Sequence, residues 1–358
     1  MNFLNPFLFF ILREGQFIVW DYINHQQFEL TEAYINRLLE ISSDPSSHNE
    51  IDIELTNSKL ILNVNDENEE WGWDCLSKIF HFGTSIQKSD LHDISINDPV
   101  AFCSEYITFS EKASATSPPI LIEKNGFEIQ LPTPNLSLFE KQNFLSVLTK
   151  RKTCRTFYNE PLSLDVVSTL LYVSFGAFHK DQTEYHSIGL DKVGLRKTSP
   201  AGGGLHASEA YILAQNIEGI PKGIYHYQAH SHILTLINSE DFTENLKEIF
   251  CGQYFIEQIS LGVFITSRFE KLWHKYPHSR AYRIALLDVG HLSQTFQLVA
   301  TALTLNPWLS GAFVDDEVRK MLKLKRLCEQ PLFFVGAGLG PWQSIDPVTR
   351  ELALKGDI

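Results

Sequence analysis

The chain of 358 residues is poor in sulfur, with five cysteines and two methionines. Cys75, Cys103, Cys154, Cys251 and Cys328 lie far apart, are odd in number and form no CxxC. That argues against a disulfide framework or a zinc knuckle and fits a reducing cytosol. Long hydrophobic runs are missing as well. The apolar start, Met1–Leu12, has no basic opening, no small-residue cleavage site and too little length to span a bilayer. Phe7–Leu12 therefore reads as a buried strand, and the protein as cytoplasmic with no membrane partner. Internal repeats and low-complexity tracts are absent. Basic residues are scarce in one part only: residues 1–150 carry 22 acidic and 9 basic side chains, and residues 151–358 carry 21 of each. The whole formal charge of −13 thus sits in the first part. This supports a domain boundary near residue 150 and argues against a nucleic-acid partner.

What the chain does have is material for a core. Its 25 Phe, 12 Tyr and 6 Trp exclude general disorder, and its length suggests two domains. Residues 7–12 and 16–21 read as a hairpin joined by Arg13-Glu14-Gly15. Thr31 caps an expected helix to about Ser42, with Tyr34, Ile35, Leu38, Leu39 and Ile41 as its apolar face. Short strands are expected near Ile51–Leu55 and Lys59–Val64. Together these suggest a small winged-helix-like module. An acidic loop, Asp66–Glu70, precedes Trp71-Gly72-Trp73-Asp74 and a helix through Phe80-His81-Phe82, whose aromatics read as core packing. Ser114–Pro119 and Leu131–Pro134 look like a linker wrapping the surface.

From about Ser146 the pattern becomes mixed α and β. Leu164–Phe175 is a helix with Ser163 as N-cap. Ala210–Gln215, Gly223–Tyr227, His232–Ile237, Leu261–Ser267 and Leu332–Val335 read as strands. Ala281–Leu303 is a long helix with Leu286, Val289, Leu292, Phe296, Val299 and Leu303 on one face. The expected division is an N-terminal domain 1–110, a linker 111–145 and a main domain 146–358.

Four clusters carry chemistry. Arg151, Lys152, Thr153 and Arg155 put three cations and a hydroxyl within five residues, which suits a phosphate and equally suits a solvated turn. Ser199 with Gly202, Gly203, Gly204 and Leu205 forms a glycine-rich loop whose backbone N–H groups can approach a ligand, or which simply connects two elements. It matches neither a Walker loop nor GxGxxG. Lys275-Tyr276 is an acid–base device or a surface turn: an ammonium beside a phenol favours the phenolate. His274 and His278 stand four apart with Pro277 between them and no accompanying carboxylate, so no metal is expected. Asp288 and His291, three apart on the long helix, form a hydrogen-bonded pair or help to hold the site.

In this order the clusters resemble the flavin-dependent nitroreductase superfamily, and within it the SagB-type branch, the dehydrogenases of azol(in)e-peptide biosynthesis. The resemblance rests on RKTCRTFYNEPLSLDVVSTLL at 151–171, KTSPAGGGLHASEAY at 197–211, GIPKGIYHY at 219–227, KYPHSRAYRIALLDVGHLSQ at 275–294 and GAFVDDEV at 311–318, and covers about residues 146–345. It implies an α+β nitroreductase-like fold, with a mixed, mainly antiparallel sheet flanked by helices, and a homodimer binding FMN at its interface. It further implies that Arg151, Lys152, Thr153 and Arg155 meet the FMN phosphate and ribityl chain, that Ser199 and Gly202–Leu205 line the flavin, and that Ser310, Gly311 and Ala312 approach its ring. Lys275 and Tyr276 match the catalytic Lys-Tyr pair of the azoline oxidases. Two departures stand out. Gly336-Ala337-Gly338 replaces the Arg or Lys that many relatives carry in the last strand-loop, and Thr153 stands where Ser is commoner. The N-terminal region resembles the extra domain of longer SagB-like proteins only loosely; in some of them it is related to leader-peptide recognition domains.

The activity so implied is oxidation of a thiazoline or oxazoline in a ribosomal precursor peptide to the azole. Hydride passes to FMN N5, the proton to Tyr276 or Lys275, and dioxygen reoxidises the flavin. A cyclodehydratase is the implied partner. Two other readings stay open: an NAD(P)H-dependent reductase of dehydroamino acids, nitro compounds or quinones, and a scaffold subunit with little activity of its own.

Overall fold

The computed structural model describes residues 1–64, 71–88, 98–179 and 195–356. The acidic loop Asp66–Glu70 lies outside them. The chain divides into two compact units, residues 1–108 with 278–280, and residues 109–277 with 281–358.

In the first unit, β1 (Phe3–Leu4) pairs with β5 (Ile61–Leu62), and β2 (Leu8–Arg13), β3 (Gln16–Asp21) and β4 (Gln26–Leu30) form an antiparallel meander. Glu14 and Gly15, both at positive φ, make the two-residue hairpin turn that the sequence suggested. Strand β2 is not buried. It is the sheet's edge, and Leu12 is 74% exposed. Helix α1 (Glu32–Ser43) closes one face, burying Leu38 and Ile41 against Val19 and Leu30. The stretch expected as a strand near Ile51–Leu55 is instead helix α2 (Asp52–Asn57). Its alternating Ile51, Ile53 and Leu55 mimic a strand, yet Ile53 is exposed and Leu55 buried. Asp52 explains the choice. Its carboxylate takes two bonds from the Arg37 guanidinium, at 2.6 and 2.9 Å, and one from Asn2 Nδ2. Arg37 thereby holds the Asp52 carboxyl below its ordinary range. Helix α3 (Cys75–Gly83) starts where Asp74 accepts the Ser77 N–H, and α4 (Pro99–Ala115) follows.

The second unit is built on a seven-stranded sheet in the order β11-β12-β10-β7-β8-β9-β6. Its strands are β6 (Glu128–Gln130), β7 (Ser208–Ala214), β8 (Gly223–Gln228), β9 (Ile233–Asn238), β10 (Leu261–Arg268), β11 (Asn306–Ser310) and β12 (Glu329–Gly338). Every pairing between its described strands is antiparallel, in keeping with the mainly antiparallel sheet expected. Strand β6 comes from the stretch read as a surface linker. Gly336-Ala337-Gly338, read as a loop, belongs to β12. The helices are α5 (Phe144–Lys150), α6 (Leu164–Phe175), α7 (Leu246–Ile249), α8 (Phe269–Lys275), α9 (Ala281–Ala302), α10 (Asp315–Met321) and α11 (Pro347–Lys355). Helices α6 and α9 cover one face through Val167, Leu170, Leu171, Val289, Leu292 and Phe296, packed on Ile212, Val263 and Val335. The other face packs Phe264, Trp308 and Phe334 against Phe250, Phe255 and Val318. Strand alternation sorts the residues between the two cores, with Phe334 in one and Val335 in the other. The α9 face differs from expectation at one end: Leu286 and Leu287 point outward, and Leu287 is 56% exposed.

Candidate functional site

Helix α9 is the spine of the site. At its N-terminal half, the buried Asp288 carboxylate accepts the Gly202 N–H with both oxygens, at 3.0 and 3.2 Å. One turn on, buried Ser199 bonds the Thr295 hydroxyl at 2.7 Å and donates to the His291 carbonyl at 3.4 Å. Further along, Gln297 Oε1 accepts from Arg151 Nη1 at 3.2 Å. Asp288 and Gln297 are nine residues apart, about 14 Å at the α-helical rise. One helix therefore brings together the glycine loop and the first of the clustered cations. Burial pushes the Asp288 carboxyl above its ordinary range, against the pull of the Gly202 N–H and of His291. The expected Asp288–His291 hydrogen bond does not form; His291 is exposed, and Asp288 holds the loop instead.

The cation run is anchored through its backbone. The Cys154 N–H donates to the Pro307 carbonyl at 2.8 Å, the Arg155 N–H to the Gln343 carbonyl at 2.9 Å, and Arg155 Nη1 to the Ser344 carbonyl at 2.9 Å. Arg151, Lys152, Thr153 and Arg155 are all half-buried, whereas Cys154 is fully buried in the second core. Burial pushes its thiol up to about 11, although Lys152, Arg151 and Arg155 pull the other way.

In the glycine loop the backbone donors are largely committed. Besides Gly202 N–H to Asp288, Gly204 N–H bonds the Ala201 carbonyl at 2.9 Å and Leu205 N–H the Gly202 carbonyl at 3.2 Å. The loop therefore offers a ligand bare peptide surface more than hydrogen bonds. Gly203 and Gly204 both have left-handed φ, +59° and +66°. A Cβ on Gly203 would overlap the Tyr276 hydroxyl and lie 2.9 Å from Cε2 of that ring. The Lys275 Nζ stands 5.6 Å from the centroid of the same ring. Tyr276 is fixed by packing with Leu205, Phe269 and Leu332 around Leu272, Ala281 and Ala285. Lys275, Gly203, Gly204 and Leu205 line one cleft of about 150 Å³, together with Lys271 and His274.

Ser310, Gly311 and Ala312 lie elsewhere. Ser310 Oγ accepts from the Ala312 N–H at 3.0 Å and from Gln253 Nε2 at 3.1 Å. Ser310 alternates with Leu309 along β11, so it shares the face of Trp308 and the second core. The Ser310 side chain thus points to the face of the sheet opposite α9 and the glycine loop, whereas a Cβ on Gly311 would lie 3.3 Å from the Phe333 ring, which packs on the α9 side.

Sequence reading overlooked one group. Lys197, Glu209, Arg268 and Lys271 cluster behind the cleft, the last two 1% and 5% exposed. The signal was a charge inside an apolar run, such as Glu209 in Ser-Glu-Ala-Tyr-Ile-Leu-Ala.

A seven-stranded antiparallel sheet with helices on both faces and a glycine loop tied to a long helix make an α+β fold of the nitroreductase-like kind. The chain belongs to the nitroreductase family, whose profile matches residues 148–339. It is 30% identical over 211 residues to a protein of Methanocaldococcus jannaschii named as a nitroreductase, covering 59% of this chain and 96% of that one. It is 29% identical over 202 residues to the trifolitoxin-processing protein TfxB of Rhizobium leguminosarum bv. trifolii, covering 49% of this chain and 52% of that one. The chain thus spans about half the length of that relative. A solved structure described as a nitroreductase from Anabaena variabilis superposes with a TM-score of 0.54 at 22% identity, over 77% of this chain and 49% of that one, which bears on the fold alone. Among the described residues no helix is long and apolar enough to cross a membrane.

Proposed function

We propose that this chain is an FMN-dependent dehydrogenase that oxidises thiazoline or oxazoline rings to azoles in a ribosomally made peptide, in the cytoplasm and beside a cyclodehydratase. The observation that carries the reading is the placement of Tyr276, its hydroxyl over Gly203 and Lys275 Nζ at its ring, next to the cleft that Gly203 and Lys275 line. The similarity to a trifolitoxin-processing protein supports a peptide substrate.

The residues fit a flavin mononucleotide in two respects. The left-handed Gly203 and Gly204 expose side-chain-free backbone against which a flat ring can lie. Arg151, Lys152, Thr153 and Arg155 offer cations and a hydroxyl for a phosphate, and Arg151 is tied to the same helix as the loop. Bound FMN would supply a two-electron acceptor that dioxygen can refill. The chain's own work is proton transfer and positioning. Tyr276 accepts the substrate proton at its phenolate oxygen, and the Lys275 ammonium stabilises that phenolate. Asp288 keeps the loop in register with Tyr276.

The proposal includes a homodimer. The Ser310 side chain and the glycine loop are on opposite faces of one sheet, and a second copy would bring both to one ligand. Apolar side chains left outside support such an interface: Phe144 and Leu145 on α5 are 68% and 67% exposed, and Leu287 on α9 is also outward.

The test is a visible spectrum of the purified protein, release and identification of its flavin, then anaerobic NAD(P)H and aerobic azoline peptide in turn. Bound FMN that NAD(P)H leaves oxidised, with azole formed from the peptide, is the expected result. Rapid bleaching by NAD(P)H without azole formation would replace the proposal with a reductase. A protein that cannot be loaded with FMN would leave a scaffold subunit. Turnover surviving both Tyr276→Phe and Lys275→Ala would remove the proton-transfer role.

A further inference from the structure

The cleft beside Lys275 and Tyr276 has a second charged group that the proposed proton transfer does not use. Lys271 lies one turn before Lys275 on α8 and lines the same cleft. Its Nζ donates to the carbonyl oxygens of Ile120 and His206, each at 3.1 Å. An ammonium has three protons, so one is left. Among the described residues no carboxylate lies within 4.0 Å of this buried cation.

Lys271 also walls a water-sized hollow of about 20 Å³, shared with Lys197, Ser208, Glu209 and His226. Lys197 Nζ has the Ser208 carbonyl at 3.4 Å. Among the described residues Glu209 is the one carboxylate on this wall, and it is already divided between His226 Nε2 at 3.2 Å and Arg268 Nη1 at 3.5 Å. Arg268 pairs further with Glu270 at 3.2 Å, which Arg326 approaches at 3.4 Å. Among the described residues, Lys197, Arg268 and Lys271, with Lys124 and Arg326 beside them, thus share three carboxylates, Glu209, Glu270 and Glu329. Among the described residues no acidic one lines the larger cleft, where Lys271, His274 and Lys275 gather. His226 Nδ1 and Ser208 Oγ are buried with no hydrogen-bond partner. Buried cations in excess are costly unless an anion joins them.

We infer that this cleft contains a carboxylate-binding subsite in which the free Lys271 proton holds one ligand oxygen and Lys197 adds attraction from behind. The one Lys271 proton left over suits a single carboxylate oxygen. The carboxylate belongs either to an acidic side chain of a peptide or to a free small acid. The inference does not need the redox reading, because cleft and cations stand without a flavin.

Binding has a defined pH sign. Burial pushes the Lys271 ammonium down to about 8, with Lys197 and Arg268 adding to the shift and Glu209 and Glu270 opposing it. Burial likewise pushes His206 down to about 3, so its ring is neutral and adds no charge. His274 and Lys275 face Lys271 from the cleft side. Affinity is near full a unit below pH 8, about half at pH 8, and falls further as Lys271 loses its proton; burial lowers the Lys197 ammonium as well, against the pull of Glu209, so its loss acts in the same direction.

The test uses the full-length protein at constant ionic strength. Acetate is titrated while thermal stability and heat of binding are followed, and two blocked pentapeptides, one with a central Glu and one with Gln, are compared in the same way. Acetate or the Glu peptide should bind the wild type, at least tenfold more weakly at pH 9.5 than at pH 7. Lys271→Gln should abolish the binding, and Lys197→Gln should weaken it. A Glu-over-Gln preference points to a peptide side chain; acetate binding without that preference points to a free acid. Failure of both probes on the wild type, or an equal response from Lys271→Gln, overturns the inference. If Lys271→Gln does not fold, Lys197→Gln and the wild-type pH dependence still decide it. Flavin content and azole formation are separate readouts, so a failure here leaves the proposed redox function standing.

Discussion

The hydroxyl of Tyr276 stands over Gly203, so close that any side-chain carbon on that glycine would meet the phenol ring at 2.9 Å. A residue with a left-handed φ and a residue at the end of a helix thus share one position in space. Gly203→Ala should disturb both. Strain at φ +59° costs about 1 kcal/mol, a fall in Tm of roughly 2–4 °C for a unit of this size. Displacement of the phenol should cost far more in turnover, on the order of a hundredfold. Calorimetry and peptide-oxidation rates measure the two separately; an unchanged rate would show that Tyr276 is not the base.

Asp288 should act on the cofactor through the loop. Asp288→Ala leaves the Gly202 N–H without its acceptor, which costs about 1–3 kcal/mol for a buried donor. Asp288→Asn keeps an acceptor oxygen and should lie between the Ala variant and the wild type. Flavin retained after gel filtration should follow the order wild type, Asn, Ala.

The thiols should separate by burial. Cys75, Cys103 and Cys251 are exposed, Cys328 is partly so, and Cys154 is buried with its thiol pushed up to about 11. A disulfide reagent at neutral pH should modify the three exposed thiols quickly and Cys154 only after unfolding. Rapid native modification of Cys154 would mean that the cation run opens readily.

Stability should rise with pH through a window set by Lys271. Its ammonium value falls from 10.5 unfolded to about 8 folded, so between those limits the unfolded chain binds more protons. Unfolding free energy therefore increases with pH across this range, by up to about 3 kcal/mol for this group. Lys271→Met should flatten that part of the profile, measured by denaturant titration in carboxylate-free buffer.

The proposed homodimer predicts a solution mass of twice the chain. Leu145→Glu places a charge on the exposed apolar face of α5 and should give a monomer that also loses flavin. A monomer that retains flavin would show that Ser310–Ala312 are not needed for binding.

Elements fixed by their own periodicity were legible in the sequence. The hairpin at Glu14-Gly15, helix α6 and the apolar strand β10 needed no knowledge of the rest of the chain. Helix α2 was not legible, because Asp52 is helical through its pairing with Arg37, a partner fifteen residues away. Strand β6 was missed for a similar reason: three residues carry little pattern, and they become a strand by adding to β9. In the site, residue types announced the glycine loop and the Lys275-Tyr276 pair. Their meeting at Gly203 was not readable, since it depends on how α8 and α9 pack. Nor was the group around Lys271, whose members come from β7, β8, β10, α8 and the segment before β7.

Helix α9 also acts as a ruler. Because Asp288 and Gln297 fix opposite ends of the site on one rigid rod, their separation and relative bearing are set by the residue count between them. An added or deleted residue in that stretch would rotate one end against the other by about 100° and shift it by about 1.5 Å. Evolution can therefore recolour the outward face of this helix, as at Gly290, far more freely than it can change the length of the rod.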